Sequence, residues 1–300
     1  MTNFVEPVEV PISTNIEVVE NNTPPSENPE IPRGGKKLRV AVLGKGIHAE
    51  QIRATVNTDR TESKEFDNID ALVEYEPNIT FIVGRIPVKN NDTLDDAQLL
   101  DAILKIFNNT KSGVCLKSTV NPETADRITD ILQTMGNTRF VYSPYTSESD
   151  GVMSEMNEST VIIGGDETAR RTHINVLDVH FHGTASIFVP MNFKDAVIYK
   201  MALSGFTAIK QSFFAQLAQV ADDFDVPMNR VRRALQNNAL VSSPSHCIPP
   251  IIRSQTDENI SLKMARGFGG EYLNDDVRAF CGVTDKMTLL EEAVNWSNVK

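Results

Sequence analysis

Short apolar runs rich in β-branched residues alternate with helical segments over residues 37–190, and this alternation constrains the fold more than any other feature. The apolar runs are LRVAVLG, NITFIVG, SGVCLKST, RFVYSP and STVIIGG. Between them, TLDDAQLLDAILKIF and PETADRITDILQTM place apolar residues at the spacing of one helix face. Continuous apolar strands separated by helices are typical of parallel sheets that are covered on both faces. The sequence therefore predicts a Rossmann-like, doubly wound α/β domain over residues 37–190.

A glycine pair follows the first predicted strand. In RVAVLGKGIHAE, Gly44, Gly46 and Ala49 match the G-x-G-x-x-G/A pattern between a strand and a helix. The first glycine of this pattern permits a tight turn, the second lets the backbone approach a pyrophosphate, and the small third residue permits close helix packing. We therefore predict that this loop binds NAD, with a purely structural turn as the alternative. His48, in the same loop, is expected to be a surface residue on the first helical turn.

An acidic residue about 20 positions after the glycine loop is expected to bind the ribose of the dinucleotide. Asp67, which closes ESKEFD, has this spacing and is the predicted ribose ligand. Asp59 and Glu65 are alternatives, because ESKEF is polar and is a poor match to a second strand.

The stretch NFKDAVIYKMALSGFTAIKQSFFAQLAQVADDFDVP predicts one long helix, because proline occurs only at its end. Asn192 or Asp195 can cap its start, and Pro227 lies just after its stop. Apolar residues occur on more than one of its faces, so the helix should be buried on several sides. We therefore predict a second, all-helical domain over residues 191–300, which binds substrate and forms a homodimer through the helix 194–224.

Composition and charge narrow the classes of function. Residues 1–36 are rich in Glu, Asn, Pro and Thr and are expected to be a disordered acidic tail. The net charge of −11 argues against a nucleic-acid partner, because phosphate binding needs a surplus of Lys and Arg. No apolar run is long enough to span a membrane, and the start lacks the pattern of a signal peptide, so we expect a cytoplasmic protein without a membrane partner. Three scattered cysteines predict neither a disulfide framework nor a metal site.

Seven segments in collinear order resemble the UDP-glucose/GDP-mannose dehydrogenase family, the nucleotide-sugar dehydrogenases. They are VAVLGKGIHA, ITFIVGRIPVKNNDTLDDAQLLDAI, CLKSTVNPETADRI, VYSPYTSESDGV, VIIGGDE, VIYKMALSGFTAIKQSFFAQLA and GFGGEYLNDD. The family's counterparts include a strand ending in V-x-T-P, a K-S-T-V-P-x-G-T turn, an S/N-P-E-F loop, a long K-x-x-x-N helix and the loop G-F-G-G-x-C-x-x-K-D. The shared order covers most of the chain after residue 36 and is more specific than any single motif.

The resemblance implies roles for individual residues. Lys200 matches the lysine of the family's central helix, which positions substrate and water, and Asp276 matches the aspartate of the K-D pair. Thr119 matches the threonine of the S-T-V turn beside the nicotinamide. Gly269 and Gly270 match glycines whose backbone lies against the sugar nucleotide. The family thus implies that Lys200, Asp276 and Thr119 are catalytic, that NAD is the cofactor and that a nucleotide sugar is the substrate.

Four positions depart from the family pattern. Tyr272 stands where the family has its cysteine nucleophile, and Asp275 replaces the lysine before the aspartate. Ser204 replaces the asparagine four residues after the central lysine, and Tyr145 replaces the glutamate of the S-P-E loop. Ser204 and Tyr272 are still expected to line the substrate site. The sequence ends at Lys300, so we expect the family's C-terminal nucleotide-binding domain to be absent.

The loss of the cysteine limits the chemistry that the resemblance implies. The family reaction resembles two successive hydride transfers, of which the second passes through a cysteine thiohemiacetal. A phenol with a pKa of about 10 is a poor substitute for a thiolate, so at most weak four-electron oxidation is expected. Cys281 is expected to be a core cysteine rather than a replacement nucleophile. The first transfer needs only a nicotinamide and a base, and Lys200 is the candidate for that base.

These observations predict an NAD-dependent oxidoreductase that acts on a CH–OH group and resembles UDP-glucose 6-dehydrogenase. Two alternatives stay open. One is a non-catalytic relative that binds a nucleotide or a partner. The other is a two-electron dehydrogenase of the β-hydroxyacid type that uses Lys200, because YKMALSGF also resembles the catalytic helix of that family.

Overall fold

The structure, a computed structural model, describes only part of the chain. The described residues are 37–89, 92–136, 139–145, 160–180, 187–236, 251–256, 259–264, 268, 273–284 and 287–298. The predicted N-terminal tail, residues 1–36, lies outside them.

Strands and helices alternate through the first part of the described chain, and helices dominate the second part. The strands are β1 (Leu38–Leu43), β2 (Thr61–Phe66), β3 (Ile79–Ile82), β4 (Gly113–Leu116), β5 (Phe140–Tyr142), β6 (Thr160–Gly165), β7 (Ile187–Met191), β8 (Ile251–Thr256) and β9 (Asn259–Met264). The helices are α1 (Ile47–Val56), α2 (Ile69–Tyr75), α3 (Ala97–Asn109), α4 (Pro122–Thr134), α5 (Glu167–His180), α6 (Phe193–Asp223), α7 (Met228–Gln236), α8 (Leu273–Cys281) and α9 (Thr288–Asn298).

Strands β1 to β7 form one sheet in the order β2-β1-β3-β4-β5-β6-β7. Strands β1 to β5 are parallel to one another, with Leu43 of β1 opposite Phe66 of β2 and Ile82 of β3. Strand β6 runs antiparallel to β5, and β7 runs parallel to β6. The predicted doubly wound α/β fold is confirmed, with the difference that the last two strands reverse the direction of the sheet.

The polar segment TESKEF forms β2 at one edge of this sheet, although its composition is poor for a strand. Only its two end residues, Thr61 and Phe66, are buried, whereas every residue of the interior strands β3 and β4 is buried. An edge strand pairs with a single neighbour and presents its other side to solvent, where polar side chains are favourable. Position in the sheet therefore explains why this segment is extended.

Helices cover both faces of the sheet. On one face, α1 and α5 contribute Ile52 and Ala169 to an apolar cluster with residues of β1 and β3. On the other face, α2, α3 and α4 contribute Leu72, Ile103 and Ile128. This second cluster continues into α6, α8 and α9, so the C-terminal helices pack against the same face of the sheet.

The long helix predicted from the sequence is α6, which contains 31 residues and starts directly after Asn192. It packs against β5, β6, α4, α8 and α9. The helical region also contains a hairpin in which β8 and β9 are antiparallel, with Ile251 opposite Met264. Only two residues separate these strands, a connection length typical of hairpins. Among the described residues, no helix combines the length and the apolar character that crossing a membrane requires.

Candidate active site

The glycine loop lies at the carboxyl end of β1, between β2 and β3. Gly44 has a φ of 137°, and a Cβ atom there would come within 2.2 Å of the Val83 carbonyl oxygen, so only glycine fits. Gly46 has a φ of 94°, and a Cβ atom there would meet no heavy atom of the described residues within 4 Å. Ala49 is fully buried against the sheet. The loop therefore turns tightly at Gly44 and leaves open space at Gly46, which is the arrangement that the predicted pyrophosphate site requires.

Helix α1 begins on this open side of the loop. Gly46 precedes the helix, and no side chain of the described residues caps its first turn. The amide groups at the start of a helix lack partners within the helix, and together with the helix dipole they attract anions. Strand β1 lies between β2 and β3, so the chain continues to one side of β1 and then to the other. In doubly wound sheets, ligands usually bind in the crevice at the point where the strand order reverses in this way.

The three candidate ribose acids lie in different places. Asp67 directly follows β2 at the carboxyl edge of the sheet, where the Gly44 amide bonds to the last carbonyl oxygen of β2 at 3.0 Å. Asp59 precedes β2 and therefore lies at the opposite edge. Glu65 lies within the strand, 4.0 Å from the Arg53 side chain of α1. Of the three, Asp67 is the residue that adjoins the glycine loop.

Asp67 forms an ion pair with Lys45, the residue between the two glycines. Lys45 Nζ lies 2.7 Å from Asp67 Oδ2, and the two side chains are 72% and 62% exposed. The hydrogen bond from Lys45 lowers the pKa of Asp67, and the same bond raises the pKa of Lys45. A positive charge from the glycine loop and a negative charge from the end of β2 thus meet at the carboxyl edge of the sheet.

Three further side chains meet beside the start of α1. The His48 ring packs against the Tyr145 ring with centroids 4.1 Å apart, so His48 lies on the first turn of α1 as expected and is half-buried there. The Tyr145 hydroxyl donates to the His48 carbonyl oxygen at 3.4 Å, and Lys117 Nζ lies 4.6 Å from the centroid of the Tyr145 ring. Lys117 is buried and was not singled out in the sequence, although its place in the K-S-T match was an available signal. At the position of the family's glutamate, an aromatic ring therefore packs against the glycine-loop helix.

Lys200, Ser204 and Asp276 form a buried polar cluster between α6 and α8. Lys200 and Ser204 are about one turn apart and share a face of α6. The Lys200 ammonium donates to Ser204 Oγ at 3.0 Å and forms an ion pair with Asp276 Oδ2 at 2.9 Å. The Ser204 hydroxyl donates to the same carboxylate oxygen at 2.9 Å. The charged side chains are only 6% and 7% exposed, so the structure brings three predicted site residues together away from solvent.

The chemistry of this cluster follows from its hydrogen bonds. An ammonium group has three N–H donors, and Ser204 and Asp276 account for two of those on Lys200. A protonated lysine is a donor and not a base. Lys200 can therefore accept a proton from a substrate only after it has passed one of its own toward Ser204 and Asp276.

Tyr142, the last residue of β5, adds a buried phenol next to this cluster. Burial raises the pKa of the Tyr142 phenol far above its ordinary value, the negative charge of Asp276 raises it further, and the backbone of Val120 acts in the opposite direction. The hydroxyl makes no hydrogen bond of normal geometry with the residues that the structure describes. Thr119 is half-buried and precedes Val120. The Tyr142 phenol is therefore buried within electrostatic range of Asp276 and of the backbone at Val120.

Asp275, which stands where the family has lysine, has a structural partner. It is buried and pairs with Arg85, which follows β3. On the same helix, Arg278 pairs with Asp92, with Nη2 to Oδ1 at 2.6 Å. In one pair the arginine belongs to the loop between β3 and α3, and in the other it belongs to α8. Together the two pairs hold α8, and with it Asp276, against this loop.

Cys281 is poorly suited to act as a thiolate nucleophile. It is the last residue of α8 and is half-buried. Burial raises the pKa of the Cys281 thiol, and the negative charges of Glu291 and Asp92 add to this effect. A raised pKa favours the thiol over the nucleophilic thiolate.

Not all of the predicted site residues belong to this cluster. The described contacts connect Lys200 to Ser204 and Asp276 but do not connect it to the glycine loop. Phe268 of the predicted substrate loop is buried, and its amide donates to Ser297 Oγ of α9 at 3.1 Å. Other residues of that loop lie outside the described part of the chain, so their predicted contacts with substrate stay predictions. They are Gly269, Gly270 and Tyr272.

Comparisons with known proteins bear on the fold. No protein-family model matches the sequence, and no curated protein matches it. Among solved structures, the fold is similar to that of a UDP-glucose dehydrogenase from Pyrobaculum islandicum, with a TM-score of 0.66 at 18% identity over 89% of this chain and 69% of that chain. It is also similar to a UDP-D-ManNAc dehydrogenase from Pyrococcus horikoshii, with a TM-score of 0.60 at 17% identity over 86% of this chain and 68% of that chain.

A third similar structure is an NDP-N-acetyl-D-galactosaminuronic acid dehydrogenase from Methanosarcina mazei Go1. Its TM-score is 0.53 at 16% identity, over 89% of this chain and 62% of that chain. The structural neighbours are thus sugar-nucleotide dehydrogenases, which supports the resemblance seen in the motifs. At these identities the likeness shows a shared fold.

Proposed function

We propose that the chain is an NAD-dependent oxidoreductase that oxidises a CH–OH group of a nucleotide sugar, or of another small hydroxy compound, by two electrons. The observation that carries this proposal is the buried cluster of Lys200, Ser204 and Asp276. A buried ion pair is weak evidence of a stabilising role, because desolvation opposes the attraction between the charges. A buried amine, hydroxyl and carboxylate in series are, in contrast, suited to moving a proton. The sugar-nucleotide dehydrogenases among the structural neighbours support the substrate class.

The residues at the carboxyl edge of the sheet fit the proposed cofactor. Gly44 and Gly46 would place backbone amides and open space next to the pyrophosphate, and Asp67 would accept hydrogen bonds from the ribose. The bound nicotinamide would supply the chemistry of hydride acceptance from the carbinol carbon. Thr119 is assigned to the nicotinamide side by the family resemblance.

Lys200 would take the proton of the substrate hydroxyl. Ser204 accepts a hydrogen bond from Lys200 and donates one to Asp276, so a proton of the ammonium can pass through Ser204 to the carboxylate. The neutral amine then removes the hydroxyl proton while the carbinol carbon loses its hydride. The products are a carbonyl compound, the reduced cofactor and one proton held by the cluster. Because Tyr272 replaces the cysteine, the oxidation stops at the carbonyl compound.

Binding of NAD is tested by thermal unfolding of the full chain. A ligand that binds only the folded state raises the melting temperature in proportion to the logarithm of its excess over Kd. We expect NAD to raise it, and Gly46→Val, which fills the open space of the loop, to abolish the rise. If neither NAD nor NADP raises the melting temperature, the proposal is refuted.

The role of Lys200 is tested by the rate at which reduced cofactor forms with UDP-glucose, GDP-mannose and a panel of hydroxy acids. We expect Lys200→Ala to lower kcat by about 100-fold or more, which is the usual contribution of a general base. Lys194→Ala is the matched control, because Lys194 lies on the same helix but is exposed and paired with Asp126. The double variant Lys200→Met with Asp276→Leu removes both charges and should be folded but inactive. An unchanged rate in Lys200→Ala would exclude Lys200 as the base.

A non-catalytic nucleotide-binding relative is the second candidate. It is favoured by the ion pair that already engages Lys200 and by the Tyr145 ring at the position of the family's glutamate. This candidate predicts a melting-temperature rise with NAD but no turnover with any substrate. Turnover with hydroxy acids alone would instead identify the β-hydroxyacid type of enzyme.

We also propose that two copies of the chain associate through α6. This helix is about 46 Å long and carries a stripe of exposed apolar side chains. They are Ile198, Phe206, Phe213 and Val220, and the exposed Phe224 directly follows the helix. Three of them recur at seven-residue intervals, the spacing at which one helix packs along another. Mass measured by light scattering should be that of a dimer and should fall to that of a monomer in Phe206→Glu with Phe213→Glu, and a monomeric unmodified chain would refute the proposal.

A further inference from the structure

The ion pair between Lys45 of the glycine loop and Asp67 after β2 bears on which dinucleotide the crevice accepts. We propose that Lys45 is a specificity-determining residue, and that Lys45 and Asp67 together let the crevice bind NADP as well as NAD. The inference rests on the proposed function, because it defines the cofactor range of the same site. The two cofactors differ only at the adenosine ribose, which carries a 2′-hydroxyl in NAD and a 2′-phosphate in NADP.

The position of the pair follows from the sheet. Strands β1 and β2 are adjacent and parallel, so the residue after β2 and the loop after β1 meet at one edge. Asp67 is that residue, and Lys45 Nζ lies 2.7 Å from its Oδ2. In dinucleotide-binding folds, the group that reads the ribose 2′ position lies at this end of the second strand.

The two charges favour different cofactors. A carboxylate accepts a hydrogen bond from a ribose hydroxyl and repels a phosphate, whereas an ammonium attracts the phosphate. In a crevice with Asp67 alone, NADP would be rejected. Lys45 supplies the missing counter-charge from the glycine loop itself.

The charged side chains next to Lys45 and Asp67 largely offset each other. The negative charge of Glu65 also acts on Lys45, but Glu65 is 4.0 Å from the guanidinium of Arg53. Arg53 offsets the charge of Glu65, so Lys45 and Asp67 are the charged pair closest to the expected ribose position, in a chain whose net charge is −11. Without Lys45, the same surroundings would be negative and would disfavour a 2′-phosphate.

The pair is also able to exchange partners. Both side chains are mostly exposed, and exposed ion pairs hold their partners weakly because water and salt compete for the charges. A 2′-phosphate can therefore displace Asp67 from Lys45. A 2′-hydroxyl can bond to Asp67 while the ion pair stays intact.

The test is the ratio of the Kd values for NADP and NAD, measured by titration calorimetry on the full chain at low and high salt. Asp67→Asn leaves Lys45 alone and should shift the ratio at least about tenfold toward NADP. Lys45→Gln leaves Asp67 alone and should shift it at least about tenfold toward NAD. Both shifts should shrink at high salt, because the groups are exposed to screening.

The matched controls are Lys105→Gln and Asp101→Asn, which alter a similarly exposed lysine–aspartate pair on α3 and should leave the ratio unchanged. If both dinucleotides bind but the Lys45 and Asp67 variants change the ratio less than about twofold, Lys45 does not determine specificity and the proposed function is unaffected. An unmodified chain that binds NAD and shows no binding of NADP overturns the dual specificity alone. If neither dinucleotide binds any of the proteins, the proposed function falls together with the inference.

Discussion

Two of the lysine–aspartate pairs, Lys45–Asp67 and Lys200–Asp276, have similar lengths but lie in opposite surroundings. Lys45 and Asp67 are 2.7 Å apart at the rim of the glycine loop, with side chains open to solvent. Lys200 and Asp276 are 2.9 Å apart between two helices, where solvent is excluded and a serine hydroxyl bridges them. The distance between the charges is therefore not what distinguishes the two sites.

The difference lies in the energy of separating the charges. In water, exposed charges are hydrated whether or not they are paired, so the outer pair is easily exchanged for a ligand. In the interior, an ion that loses its partner is left without hydration, so the inner pair is held in one arrangement. The outer pair is suited to recognition of a charged ligand, and the inner pair to holding a proton at defined atoms.

The largest effect is expected from breaking the inner pair. Asp276→Leu leaves the Lys200 ammonium buried without its carboxylate and should lower the free energy of unfolding by about 3–5 kcal/mol. Adding Lys200→Met should recover most of this loss, because two apolar side chains then replace the two charges. Urea unfolding monitored by circular dichroism measures both values. A single variant as stable as the unmodified chain would show that the pair is not desolvated as the structure indicates.

The buried side chain of His173 should make the free energy of unfolding depend on pH. His173 on α5 is buried, and this burial lowers its pKa to about 4, while the hydrogen bond of Nδ1 with the Ala169 carbonyl oxygen partly offsets the shift. Below pH about 6.5 the unfolded chain binds a proton that the folded chain excludes, so the free energy of unfolding should fall by about 1.4 kcal/mol per pH unit down to pH about 4.

Two variants separate the sources of this slope. His173→Gln should remove it, whereas Asp67→Asn should leave it unchanged. The pKa of Asp67 is lowered on folding, so the contribution of Asp67 is lost only as the pH falls below its ordinary value of 3.8. Urea unfolding between about pH 7 and about pH 4.5 tests both variants, and a slope that persists in His173→Gln would contradict the assignment.

An intermediate effect is expected for a pair that is buried on one side only. Asp275 is 9% exposed at its side chain, and its partner Arg85 is 49% exposed. Arg85→Met should therefore lower the free energy of unfolding by about 1–2 kcal/mol, less than the loss of the inner pair. The double variant Arg85→Met with Asp275→Leu should restore stability, and a double variant less stable than Arg85→Met would refute this account.

The smallest effect is expected from the outer pair. Lys45→Gln should leave the urea midpoint unchanged within error, because a solvated ion pair contributes little to folding. The same variant is expected to alter the preference between the two dinucleotides. A large fall in stability would place Lys45 in the packing of the loop rather than in ligand recognition.

The sequence predicts the sheet and the long helix well, because their apolar patterns are strong over many residues. It does not predict β2, whose polar residues suit a strand only at a sheet edge. It also does not predict the reversal at β6, because the apolar pattern of a strand is the same in either direction. The sequence also does not predict the hairpin of β8 and β9, which is short and lies within the region predicted to be wholly helical.

The candidate site also has parts that the sequence predicts and parts that it does not. The motifs alone identify Lys200 and Asp276, but the bridge from Ser204 to Asp276 spans 72 residues and follows only from the packing of α8 on α6. The pair of Arg85 and Asp275 spans 190 residues and has no local signal in the sequence. Among the acids near β2, the choice of Asp67 depends on knowing where the strand ends.

The sequence by itself determined the alternation of strands and helices, the glycine turn and the chemical types available for a site, because these depend on local spacing and on side-chain chemistry. Only the tertiary structure decided which charges meet and whether water reaches them. Burial arises from the packing of distant segments, and burial sets whether a lysine beside an aspartate is an exchangeable contact or a fixed part of the interior.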